Sequence, residues 1–121
     1  MNRQAVQTLK TYFGYDTFRE GQESVVESIL EHRDMLAIMP TGAGKSICYQ
    51  VPALMLSGIT IVISPLISLM QDQVKALNEA GIHAAFINSS LSESQISKAL
   101  YLAAGGRYKI IYVAPERLEN Y

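Results

Sequence analysis

Residues Ala37 to Ser46 read AIMPTGAGKS, a short apolar run that breaks into a glycine-rich turn and ends in Lys-Ser. A turn this tight needs glycines, here Gly42 and Gly44, and it needs an element on each side to hold it. The successive backbone N–H groups of Thr41, Gly42, Ala43, Gly44 and Lys45 can face inward around a phosphate. Lys45 can then reach the outer phosphate oxygens, and the Ser46 hydroxyl suits a place on Mg²⁺. The pattern G-x-x-x-x-G-K-[ST] is met at Gly44, Lys45 and Ser46, while Met39 stands where its first glycine would be. The flanks agree with a phosphate-binding loop. Asp34 to Met39 (DMLAIM) reads as a short buried parallel strand bounded by a charge and by Pro40. From Lys45 the run KSICYQVPALML is long enough for a helix whose N-terminal dipole meets the phosphates.

The rest of the chain alternates in the same way. Two helices open it: Asn2 to Phe13, with Val6, Leu9, Lys10 and Phe13 at helical spacing before Gly14, and Arg19 to His32, with Val25, Val26, Ile29 and Leu30 on one face. Beyond the loop unit, the β-branched run Ile59 to Ser64 predicts a strand, and Leu66 to Ala80 a helix ending at Gly81. His83 to Asn88 reads as a strand. Ser92 with Gln95 three residues on is a capping box for a helix through Ala104, stopped by Gly105 and Gly106. Lys109 to Ala114 (KIIYVA) is a last strand, and Pro115 starts a helix. Strands alternating with helices specify an α/β fold with a parallel sheet covered by helices, and such sheets place ligands at the carboxyl ends of their strands.

Composition narrows the class further. The 121 residues, 49% hydrophobic and 17% charged, suit one globular domain spanning 1–121 with its own core. No apolar run approaches the roughly 20 residues that span a bilayer, and MNRQAVQTLK lacks the apolar centre of a signal peptide, so a cytoplasmic protein is expected. The single cysteine, Cys48, excludes an internal disulfide and a cysteine metal cluster, and reads as a small buried hydrophobe. His32 and His83 have no ligand spacing. A net charge of −1 provides no chain-wide field for nucleic acid, so any such contact belongs to a local surface.

Upstream of the loop, FGYDTFREGQ places aromatic residues, an arginine and a glutamine just before a helix. A Gln amide donates and accepts together, which matches the N7 acceptor and N6 donor of adenine. Tyr15 and the Arg19 guanidinium are flat groups able to stack on a base. Tyr15 and Phe18 also suit core aromatics at a helix entrance, and proximity to the phosphate loop favours Tyr15, Arg19 and Gln22 as base-binding residues.

FGYDTFREGQ, then MPTGAGKSICYQVPAL, then VISPLISLMQDQV, then YVAPERL together resemble the RecQ-like DNA helicases over nearly the whole chain. The blocks are similar to motifs 0, I, Ia and Ib of superfamily 2 helicases, in order. The resemblance implies a P-loop NTPase of the RecA-like three-layer kind, truncated here, with ATP and Mg²⁺ as cofactors. It implies Tyr15, Arg19 and Gln22 on adenine, Thr41, Gly42, Ala43, Gly44, Lys45 and Ser46 on the phosphates, Lys45 as the catalytic cation and Ser46 on Mg²⁺. DNA, as single strand and duplex junction, becomes the expected partner, contacted by Ser64, Ser68, Gln71 and Gln73 and by Glu116 and Arg117. Location would be at the nucleoid in a bacterium and in the nucleus in a eukaryote.

Asp16, Asp34 and Asp72 are the only aspartates, and no Asp-Glu pair occurs. Family members carry an acid pair, a coupling motif and a second RecA-like domain with an arginine finger, all of which would lie beyond Tyr121. The expectation is therefore the N-terminal part of the first RecA-like domain of a 3′-to-5′ DNA helicase. Alone, it would bind ATP with almost no hydrolysis, because metal, attacking water and transition-state charge would go unattended. Two other readings share the loop: a stand-alone nucleotide-binding or interaction module, and a small P-loop kinase, which has no use for Tyr15, Arg19 and Gln22.

Overall fold

The structure, a computed structural model, describes residues 3–36, 45–88 and 91–115. It forms two compact units, Met1–Ser57 and Gly58–Tyr121.

The described residues of the first unit are helical or in turns and loops. The unit contains α1 (Arg3–Phe13), α2 (Gln22–Leu30) and α3 (Lys45–Met55). Ala5 and Leu9 from α1, Val26 from α2 and Val51 from α3 make its buried core, with Phe13, Phe18, Leu30, Ile47 and Met55 packed around it. Leu9, Val25 and Val26 are buried as their spacing implies, whereas Lys10 is exposed and Val6 half-buried, and Ala5 takes the other buried place on α1. α2 begins three residues later than its periodicity predicts, because Arg19 to Gln22 forms a turn instead: the Gln22 N–H donates to the Arg19 carbonyl at 3.0 Å, with Gly21 at φ +86°. At its far end the His32 N–H bonds the Ile29 carbonyl and the Arg33 N–H the Ser28 carbonyl, both at 3.0 Å, with His32 itself at φ +60°. That is a Schellman stop with histidine where glycine usually stands.

The strand expected from Asp34 to Met39 is not found where it can be described. Asp34, Met35 and Leu36 take no strand, and Leu36 is 86% exposed; Ala37 to Met39 lie outside the described residues. A parallel strand is ordered by ladder partners on its neighbours, and the described residues provide none to this segment.

The second unit is the parallel α/β part. Its elements are β1 (Thr60–Ile63), α4 (Ile67–Glu79), β2 (Ala84–Ile87), α5 (Glu93–Ala104) and β3 (Ile110–Val113), with strand order β1-β3-β2 and all pairing parallel. Thr60 and Ala84 both stand opposite Ile110, and Ile63 and Ile87 both stand opposite Val113, so the three strands end level. β3, central in the sheet, is buried at all four positions. Ile87, Ile96, Ile111 and Val113 form a core with Leu91, Ala99, Ala103 and Tyr108 around it. The box predicted for α5 is complete. The Gln95 N–H donates to Ser92 Oγ at 3.2 Å, and the Ser92 N–H donates to Gln95 Oε1 at 2.8 Å. No described helix is long and apolar enough to cross a membrane.

Candidate functional site

In the first unit, Tyr15, Arg19 and Gln22 line one recess together with Thr17 and Ile47. The aromatic cluster is thereby divided: Phe13 and Phe18 pack on the helical core, while Tyr15 stays 52% exposed. Gln22 is the opposite, 3% exposed at the first position of α2. Its amide folds back so that the Arg19 N–H donates to Oε1 at 2.7 Å. An acceptor held this way has a second lone pair on the oxygen, with the NH₂ at the other end of the amide. The recess is shallow, about 50 Å³, a shelf rather than a closed cavity.

Ile47 ties this shelf to the N-terminal end of α3, since it follows Lys45 and Ser46 in the first turn of that helix. Lys45 is exposed and Ser46 half-buried. Thr41, Gly42, Ala43 and Gly44, named from the sequence, lie outside the described residues. Thr17 and Ile47 were not singled out by sequence. Thr17 sits inside the FGYDTFREGQ block, so its position was its only signal, while Ile47 reads in sequence as an ordinary helix hydrophobe. Among the described residues no group of three or more His, Cys, Asp or Glu is assembled for a metal ion.

In the second unit, the candidate nucleic-acid residues follow β1. Ser64 accepts from the Leu66 N–H at 3.2 Å, which starts α4 with a local turn and leaves the cap residue Leu66 without a side-chain cap of its own. Met70, Val74 and Leu77 bury one face of α4, as their spacing implies. Ser68 and Gln71 are exposed and three residues apart, hence neighbours on the helix surface. Gln73 is half-buried and stands about 200° around the helix from Gln71, so it does not share their face. Glu116 and Arg117 lie outside the described residues. The level strand ends bring Ser64, Ala114 and Asn88 to one rim, and Asn88 is fully buried there with its Nδ2 3.6 Å from Met70 Sδ.

Cys48, in α3, is buried as expected, and burial pushes its thiol pKa up while a backbone hydrogen bond pulls the other way.

A family model described as DEAD/DEAH box helicase matches residues 19–121. The chain is 56% identical over 121 residues to the ATP-dependent DNA helicase RecQ of Bacillus subtilis, covering 99% of this chain and 20% of that protein. It is 49% identical over 114 residues to the RecQ of Haemophilus influenzae, covering 94% of this chain and 18% of that one. It thus spans about a fifth of the length of these relatives. Among solved structures, a hypothetical ATP-dependent RNA helicase from Sulfolobus tokodaii matches with a TM-score of 0.72 at 21% identity, covering 99% of this chain and 36% of the other. At that identity the likeness speaks for the fold alone.

Proposed function

Since the chain belongs to the DEAD/DEAH box helicase family, with its sequence likeness to RecQ helicases, we propose that its helical unit is an adenine-nucleotide site and that the whole protein couples ATP hydrolysis to DNA unwinding in the 3′-to-5′ direction. The observation that carries the nucleotide reading is the convergence of Tyr15, Arg19 and Gln22 on one shelf beside Ile47, two residues after Lys45. The base lies on the shelf, stacked by Tyr15 and the Arg19 guanidinium, with the Gln22 NH₂ donating to N7. The triphosphate runs to the start of α3, where backbone N–H groups, the helix dipole and the Lys45 ammonium meet its charge. The Ser46 hydroxyl, beside Lys45, suits a Mg²⁺ brought in mainly by phosphate oxygens, as is usual for an ion that keeps few protein ligands. Mg²⁺ when bound would neutralise phosphate charge.

For this 121-residue chain the proposal is binding with negligible turnover, because the chain contains no Asp-Glu pair to hold metal and orient water. DNA is the proposed partner of the strand-end rim, with Ser64, Ser68 and Gln71 as uncharged donors and the start of α4 turned to phosphate oxygens. The test is titration of the chain with a fluorescent ATP analogue in Mg²⁺, alongside phosphate release with and without single-stranded DNA. Saturable binding without release supports the proposal. DNA-stimulated turnover at an ordinary enzyme rate, or no binding at all, sinks it.

A further inference from the structure

Arg19 and Gln22 hold one another twice. The Gln22 N–H donates to the Arg19 carbonyl at 3.0 Å, and the Arg19 N–H donates to Gln22 Oε1 at 2.7 Å. Both bonds depend on the turn between these residues, and the turn depends on Gly21, at φ +86° and ψ −21°. That is the left-handed conformation at the third position of a type II turn, which glycine adopts without strain and most other residues resist. A Cβ added at Gly21 would meet nothing within 4 Å. The backbone angle alone therefore ties this position to glycine, and no packing contact does.

The orientation of the Gln22 amide follows from the same turn. Exchanging its two ends would set the NH₂ against the Arg19 N–H, donor against donor, and forfeit the 2.7 Å bond. Adenine shows an N7 acceptor and an N6 donor on its readable edge, whereas guanine shows two acceptors, N7 and O6. The held orientation matches NH₂ to N7 and oxygen to N6–H in adenine, and the turned one opposes both. Guanine opposes one of its two acceptors to the amide oxygen in either orientation, so loss of the fixed orientation weakens ATP and leaves GTP unchanged. We propose that Gly21 is a specificity-determining positioning residue: by keeping the Arg19–Gln22 turn closed, it fixes the Gln22 amide in the orientation that favours adenine over guanine. This rests on the adenine reading of the shelf proposed above. Arg19, Glu20 and Gly21 are exposed, while the residues that anchor α2, Val25 and Val26, lie nearly a turn further on. Strain introduced at Gly21 is thus relieved by opening the turn, with the helix left in place.

The experiment compares ATP and GTP affinities in Mg²⁺, together with thermal melting, for the 121-residue chain and its Gly21→Ala and Gly21→Asn variants. Asparagine tolerates the left-handed region and serves as the rescue. The preference for ATP over GTP should fall about tenfold in Gly21→Ala, the factor that a left-handed alanine's strain corresponds to. GTP affinity should hold, and Gly21→Asn should keep the parent preference. The melting temperature of Gly21→Ala should fall by only several degrees with cooperative unfolding retained, since either the strain or the two lost bonds weaken the fold. A Gly21→Ala chain that retains the preference or melts out, or a Gly21→Asn chain that loses as much as Gly21→Ala, overturns the role of Gly21. A parent chain with no preference for ATP overturns the adenine reading itself, and the role of Gly21 with it.

Discussion

Asn78, in the last turn of α4, grips the backbone of Ala84 with both ends of its amide: Nδ2 donates to the Ala84 carbonyl at 3.3 Å, and the Ala84 N–H donates to Oδ1 at 3.1 Å. The carbonyls of His83, just before β2, and of Ile87, at its end, accept from Lys109 and Ala114 on the β3 side, so Ala84, out of step with them, turns its polar groups to the side of the strand away from β3. The side chain there does what a further strand would do. Asn78→Ala should cost about 1–2 kcal/mol, since two backbone groups lose partners. Amide hydrogen exchange gives the sharper check, because the Ala84 amide should lose its protection before those of β3. Unchanged exchange at Ala84 would show that the grip does not persist in solution.

His32 occupies a left-handed position at the end of α2 that glycine fills at the end of α4, where Gly81 has φ +88°. The side chain is exposed and contributes no packing that would offset its strain. His32→Gly should therefore raise stability, by about 0.5–1 kcal/mol net of the greater freedom glycine has when unfolded. Urea denaturation measures this directly, and a lower midpoint would contradict it.

These two features also mark where sequence reading stops. The box at Ser92 and Gln95, the core face of α4 and the alternation of β1, α4, β2, α5 and β3 were all legible, because local spacing determines them. The Arg19–Gln22 turn was not, since the periodicity of Val25, Val26, Ile29 and Leu30 extends helix into residues whose hydrogen bonds close a turn instead. Tyr15, Arg19 and Gln22 were grouped in sequence through base chemistry, and the recess they line adds their neighbour Thr17 and, through tertiary packing alone, Ile47. The separation of Gln71 from Gln73 follows from helical phase alone and could have been drawn from the sequence.

Substitutions at Gln22 and Lys45 should separate base from phosphate recognition. Gln22→Ala removes the acceptor for the Arg19 N–H and any reading of adenine, so ATP should weaken while GTP does not. Lys45→Ala should weaken both nucleotides alike, by about ten- to a hundredfold, as loss of a charge-assisted contact implies. Lys45 is exposed, so melting of the Lys45→Ala chain should match the parent. Competition titrations with ATP and GTP read both effects, and a Lys45→Ala loss confined to ATP would contradict the assignment.

The Cys48 thiol lies above its ordinary value of 9.0, chiefly because burial disfavours the thiolate. The folded chain then keeps a proton that the unfolded chain gives up first. Stability contributed by this group is complete below pH 9.0 and declines as pH rises above it. Alkylation by iodoacetamide at neutral pH should be much slower in the folded chain than in urea. Equal rates in the two states would count against a buried thiol.

Because β3 lies between β1 and β2, the strand ends along the rim do not follow the order of the chain. Ala114, which comes last in sequence, emerges between Ser64 and Asn88, about one strand spacing from each. A polymer laid across this rim would meet the segment after β1, then the one after β3, then the one after β2. Damage to the segment after β3 would consequently interrupt such a track at its midpoint, leaving two separated footholds in place of one shortened path.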